Sequence, residues 1–281
     1  MLEDNKKLII DTHTHVNFNA FKDDSAVVIK KTLDNGVWMI NVGSQYSTSK
    51  RAMEMAQKYD NGVYSAVGLH PMHLSTGLVK EVIDKEEIEF KTREEVFDYE
   101  KYKELALSSK KVVAIGECGL DYYYKPKTNV RLEEFKEKQK QALISQMKLA
   151  EELDLPIIFH CRSAHGDLIK ILEEYNGKIK GVLHCFTGTK EDVQKYLDMG
   201  LYIGLNGIIF KFNIDNIIKD LPLDKIVLET DCPYLTPAPM SGRNEPMYVK
   251  YVAERIAELK GISYDEVIEQ TTKNAKQLFN I

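Results

Sequence analysis

Five short apolar runs in this chain each end in a histidine or a carboxylate, the side chains that hold divalent metal ions. They are Leu8-Ile9-Ile10-Asp11-Thr12-His13-Thr14-His15, Val112-Val113-Ala114-Ile115-Gly116-Glu117, Ile157-Ile158-Phe159-His160, Val182-Leu183-His184 and Ile226-Val227-Leu228-Glu229-Thr230-Asp231. Side chains of a β-strand alternate between two faces, so Asp11, His13 and His15 are expected to point the same way. Imidazole and carboxylate together suit zinc, manganese, iron or nickel, and magnesium less readily. Two cations sharing one carboxylate need about this many ligands, and the chemistry they imply is hydrolysis by an activated water.

The elements that must position these groups alternate along the chain. Strands are expected at 8–15, 37–42, 63–69, 112–117, 157–160, 181–184, 201–205 and 225–231. They are near-continuous apolar runs, as parallel strands covered on both faces must be. Amphipathic stretches at 47–59, 130–153, 166–175, 191–199, 214–219, 247–259 and 264–279 read as helices. Eight βα units in 281 residues point to one TIM-type (β/α)8 barrel domain spanning 1–281. A doubly wound open sheet is the alternative, but no Gly-rich dinucleotide fingerprint follows the first strand. TIM barrels carry their active sites at the C-terminal ends of the strands. Every proposed ligand sits at such an end, on the first, fourth, fifth, sixth and eighth strands.

With 43% hydrophobic and 29% charged residues, the composition is that of a soluble globular protein with a substantial core. The first residues contain no apolar signal-peptide region, and no uninterrupted apolar run approaches the ~20 residues of a membrane span. A cytoplasmic, membrane-free and monomeric protein is the expectation. Cys118, Cys161, Cys185 and Cys232 each follow a proposed ligand by one residue, so alternation should send all four outward as buried thiols. No C-x-x-C spacing supports a cysteine zinc site. The charged segment 80–111 is expected to form one or two solvated helices. Residues 233–246, with four prolines, read as an ordered loop over the barrel mouth.

Asp11-Thr-His13-Thr-His15, Gly116-Glu117-Cys-Gly119-Leu120-Asp121-Tyr122, His160-Cys-Arg162, His184-Cys-Phe186-Thr-Gly188 and Glu229-Thr230-Asp231-Cys-Pro233-Tyr234-Leu235 resemble the motifs of the TatD family of metal-dependent deoxyribonucleases. Arg243-Asn244-Glu245-Pro246 adds a sixth match, and the motifs run in the family's order over nearly the whole chain. The resemblance implies a TIM-barrel metallohydrolase of the amidohydrolase superfamily with two divalent ions: zinc, manganese, nickel or magnesium. By that resemblance His13, His15, Glu117 and Asp231 hold one ion, and Glu117, His160 and His184 hold the other, with Glu117 bridging. Two departures bear on substrate preference. Where the family reads His-Pro-His, this chain has His70-Pro71-Met72-His73, and Ser163 stands where many members carry aspartate.

Of these groups, Asp231 and Glu117 are the expected catalytic carboxylates. Asp231 orients or deprotonates the water, and Asp11 accepts a hydrogen bond that fixes a ligand. Arg162 and Arg243 carry guanidiniums suited to phosphate, and His70 and His165 are further candidates for substrate contact. Tyr122-Tyr123-Tyr124 could stack bases. The formal net charge of −5 argues against wrapping a duplex, which favours a deoxyribonuclease with 3′-5′ exonuclease-like action on DNA ends or single strands, RNA being the secondary candidate. A small phosphodiester, a lactone or an aminoacyl ester is the alternative substrate, since the same two-ion site serves phosphoryl and acyl chemistry. A non-catalytic scaffold would be expected to lose ligands, and this chain keeps the full set.

Overall fold

A computed structural model describes residues 7–75, 94–123, 125–126, 128–175 and 179–281. Its strands are β1 (Ile9–Thr14), β2 (Val37–Val42), β3 (Val63–Val67), β4 (Val112–Asp121), β5 (Ile157–Arg162), β6 (Gly181–Leu183), β7 (Tyr202–Leu205) and β8 (Ile226–Leu228). They pair in chain order, each parallel to the next. The ring closes where β1 meets the chain just past β8, through a bridge between Thr14 and Cys232. His15 N–H donates to the Cys232 carbonyl and Asp231 N–H to the His13 carbonyl, each at 2.9 Å. This is a TIM barrel.

Helices between the strands cover its outer face: α1 (Ser25–Asp34), α2 (Tyr46–Ala56), α3 (Tyr99–Leu107), α4 (Asn129–Leu153), α5 (His165–Glu174), α6 (Lys190–Asp198), α7 (Asp215–Asp220) and α8 (Val249–Lys260). A last helix, α9 (Tyr264–Phe279), closes the barrel from below. Its Ala275, Leu278 and Phe279 pack against Ile10, Ile40, Ala66, Ala114, Ile158, Val182 and Val227, the inward side chains of seven strands. Ile9, Ile115, Phe159 and Leu183 lie one residue away in sequence and pack with the helices instead. Local chemistry sets the helix ends. Thr189 and Asp192 form a reciprocal capping box at the start of α6, and Gly261 ends α8 in the left-handed conformation at φ 66°.

Two irregularities decide where the site residues point. Ile9 faces the helices, so strict alternation would carry Asp11 and His13 outward with it. The β1–β2 register slips between Asp11 and Thr14, which re-aims the chain. In β4, Ile115 faces the helices, and so do Cys118 and Leu120, an odd-to-even change of phase. The β4–β5 register slips between Gly116 and Cys118, and Glu117 turns into the barrel. β5 has no such slip.

Several expectations need correction. Asp11 does not share the direction of His13 and His15, because the slip lies between them. Cys118, Cys161 and Cys232 are buried as expected, but Cys185 is only partly so. It lies beyond the end of β6 in left-handed backbone at φ 48°, where strand alternation no longer applies. Helix α1 is not among the expected helices, although Val28, Ile29 and Thr32 give it a buried face at helical spacing. Of the charged segment, residues 80–93 lie outside the described residues, and α3 forms within the remainder. Among the described residues no helix is long and apolar enough to cross a membrane.

Candidate metal centre

At the C-terminal mouth of the barrel, imidazoles and carboxylates from five strands converge. His13 Nε2 and His15 Nε2 stand 3.1 Å apart. Asp231 Oδ1 lies 3.3 Å from the His15 nitrogen and 3.8 Å from that of His13. Glu117 presents Oε2 to His13 Nε2 at 3.4 Å. Its other oxygen, Oε1, lies 2.7 Å from His160 Nδ1 and 3.6 Å from His184 Nε2. Asp231 is likewise divided, with Oδ2 on the His184 side at 3.9 Å. Donor atoms about 2.1 Å from a shared ion lie roughly 3.0–3.4 Å from one another, a range met by the His13–His15, His15–Asp231 and His13–Glu117 separations, while Glu117–His160 at 2.7 Å is a hydrogen-bond distance.

Close approach of backbones makes the arrangement possible. A side chain at Gly119 would place its Cβ 1.9 Å from the His160 carbonyl oxygen. Only glycine fits there, and β4 and β5 can draw together beside Glu117 and His160.

Three of the four imidazoles assigned as ligands are faced from behind by an oxygen, and His13 Nδ1 is buried without a partner. His15 Nδ1 pairs with the Val42 carbonyl at 2.9 Å. His184 Nδ1 faces Glu229 Oε1 at 3.0 Å, an oxygen that also accepts from Cys185 N–H and from the Asn206 side chain, each at 2.8 Å. His160 Nε2 meets Asp121 Oδ2 at 3.2 Å. His70 sits at the rim with Nε2 3.6 Å from Glu117 Oε1, and its Nδ1 accepts from the Met72 N–H at 3.0 Å. That bond places the single proton of a neutral His70 on Nε2, so the nitrogen facing the centre is a donor rather than a lone-pair ligand. Asp11 accepts from the backbone N–H groups of His13 and Thr230 and pairs with the Thr230 hydroxyl. It fixes the main chain beside two candidate ligands rather than an imidazole ring.

Charge distribution follows from burial and neighbours. Burial works against an ionised Glu117, but His70, His184 and His13 around it hold its carboxyl well below the usual range. Burial likewise opposes a charged Asp231, and His184 together with a hydrogen bond from His15 outweighs it and lowers that carboxyl. Burial would lower His160 and His184 too. Hydrogen bonds to Asp121 and Glu117 raise His160 to about 9, and Glu229, Glu117 and Asp231 raise His184 to about 10. Burial dominates at His70, which with His160 beside it falls to about 3 and stays neutral.

The remaining candidates lie further out. Arg162, at the end of β5, stacks its guanidinium 3.8 Å above the Tyr123 ring. Tyr122 turns inward, donating its hydroxyl to Asp167, and Tyr124 lies outside the described residues. Arg243 is engaged by Asp24 through two nitrogens and by the Ala20 carbonyl. His165 turns toward α6, where its Nδ1 pairs with the Tyr196 hydroxyl at 2.9 Å. Sequence reasoning passed over Asp121 and gave Glu229 no role behind an imidazole. Asp121 carried a usable signal, for it lies four residues beyond Glu117 and shares its strand face.

Comparison with known proteins follows the same lines. The family described as TatD related DNase matches residues 10–280. A metal-dependent hydrolase named YabD from Bacillus subtilis is 38% identical over 280 residues, covering 98% of this chain and 100% of that protein. A 3′-5′ ssDNA/RNA exonuclease TatD from Shigella flexneri is 32% identical over 284 residues, covering 97% and 99%. The crystal structure of YJJV, a TatD homologue from Escherichia coli K12, superposes with a TM-score of 0.81 at 27% identity, covering 97% of this chain and 98% of the other.

Proposed function

Because this chain belongs to the TatD-related DNase family and is a metal-dependent hydrolase, we propose that it is a two-ion exonuclease. Its substrates are ends and single strands of DNA or RNA, which it shortens from the 3′ end. His13, His15, Glu117 and Asp231 hold the first ion, and Glu117, His160 and His184 hold the second. The observation that carries the reading is the division of Glu117, with Oε2 on the His13 side and Oε1 on the His160 side. Divalent ions bound there would activate a water and offset the charge of the phosphoryl oxygens.

The chain's own groups have distinct tasks. Asp231, held as a carboxylate among the histidines, takes the proton of the attacking water. As the water oxygen bonds to phosphorus, the bond to the 3′ oxygen breaks, and that oxygen takes up the proton that Asp231 received. His70, neutral with its N–H turned to the centre, donates to a phosphoryl oxygen. Arg162, already flattened against Tyr123, directs guanidinium N–H groups to the neighbouring phosphate. The relatives named as ssDNA/RNA exonucleases support this choice of polymer and polarity.

The test is a time course on 5′-labelled single-stranded DNA, using metal-stripped protein resupplied with magnesium, manganese or zinc. A ladder shrinking from the 3′ end, absent in Glu117→Ala, is expected. An oligonucleotide left intact under every ion would overturn the nuclease and shift the substrate to a small ester or phosphodiester.

A further inference from the structure

We propose that Asp121 is a positioning residue that makes His160 present Nδ1, and not Nε2, to the second ion; this rests on the reading of His160 as a ligand. The two imidazoles assigned to that ion face it with different nitrogens. His184 turns Nε2 inward and Nδ1 toward Glu229. His160 does the reverse, with Nδ1 2.7 Å from Glu117 Oε1 and Nε2 3.2 Å from Asp121 Oδ2. A neutral imidazole has one lone pair and one N–H, so presenting Nδ1 requires an acceptor at Nε2.

Asp121 is built to be that acceptor. Its Oδ1 takes the Tyr123 N–H at 2.9 Å, which leaves Oδ2 for His160. Both partners are donors, and a carboxylate accepts at both oxygens where an amide can accept at only one. The backbone of Asp121 is fixed as well: Gln139 of α4 accepts its N–H at 2.8 Å and donates to its carbonyl at 3.0 Å. Both the glutamine and the aspartate are buried. A rigid helix therefore sets Asp121, Asp121 sets the His160 ring, and the ring sets the lone pair. Carboxylates behind metal-bound histidines typically contribute about 10–100-fold in metal affinity.

The experiment is zinc binding by the full chain, measured against a chromophoric chelator for wild type, Asp121→Asn and Asp121→Ala. Histidine 15N shifts of the zinc-loaded wild type accompany it. His160 should show a zinc-bound Nδ1 and a protonated Nε2. Both variants should bind the second ion about 10–100-fold more weakly and the first ion unchanged. Second-ion affinity within twofold of wild type in both variants would overturn the proposal, as would equal weakening of both ions, the mark of a merely structural residue. A zinc-bound Nε2 on His160 would overturn it independently of any variant. A wild type holding fewer than two ions would fell the two-ion reading, and this proposal with it.

Discussion

His160 and His184 are the imidazoles at this site most closely faced by carboxylates, and this fixes their charge before any ion arrives. Burial opposes a charged ring at both, yet Asp121 and Glu117 raise His160 to about 9, and Glu229, Glu117 and Asp231 raise His184 to about 10. At neutral pH the metal-free protein therefore holds a proton on each ring that ligation must displace. Adding zinc at pH 7 in weak buffer should release about two protons per chain, read with an indicator dye. Apparent affinity should climb with pH and level off past about 9 to 10. Release of well under one proton would mean that these rings are neutral or are not ligands. The same shifts act on stability with a definite sign. A histidine raised above its ordinary ~6.5 stabilises the fold fully below that pH and ceases to as pH rises through the folded value. The metal-stripped protein should thus lose stability between pH 7 and 10 in a thermal melt.

At the scale of elements, α4 does more than cover the barrel. Gln139 and Gln146, seven residues and two turns apart, share one face of it. Gln139 clamps Asp121 at the end of β4, and Gln146 accepts from the Leu69 N–H at 2.8 Å and donates to its carbonyl at 3.1 Å. Leu69 immediately precedes His70. Gln146→Leu leaves both backbone groups without a partner in a buried place, so it should cost roughly 2–4 kcal/mol in urea unfolding. A loss below about 0.5 kcal/mol would mean that water replaces the amide. Buried glutamines in an otherwise amphipathic helix gave no reason to suspect such clamps, because their partners are backbone groups far away in sequence. The strands were readable for the opposite reason, since each apolar run reports its own burial. His160 and Arg162 follow from plain alternation along β5. Glu117 and His13 do not, because register slips in β4 and β1 turn them inward, and no local pattern announces a slip. The strand ends drew attention to Glu117 and His13, and spacing alone could have added Asp121, while the side-chain directions and the partner Glu229 came only with tertiary structure.

For the whole molecule, the decisive place is the seam between the first and last strands. β4 and β5 share a ladder of six residue pairs, whereas β1 meets the chain after β8 through the Thr14–Cys232 bridge. Side chains reinforce the join: Asp11 accepts from the Thr230 N–H and hydroxyl, and the Thr12 hydroxyl donates to the Leu228 carbonyl. The groups assigned to the first ion straddle this seam, with His13 and His15 on one side and Asp231 on the other. An ion there would tie together segments more than two hundred residues apart in sequence, so loading should stabilise the barrel as a whole. At a free ion concentration 100 times the dissociation constant the gain is about 2.7 kcal/mol. In a chain of this size that corresponds to roughly 4–6 °C in melting temperature. Its location should be equally specific. On chelation, the His15 and Asp231 amides, which donate across the seam, should lose protection from hydrogen exchange while amides of the β4–β5 ladder keep theirs. Equal melting temperatures with and without chelator would remove the first ion from the seam. Uniform loss of protection would instead mean that the ions hold the barrel through both halves of Glu117 alike, with the closure between β1 and β8 no weaker than any other pair of strands.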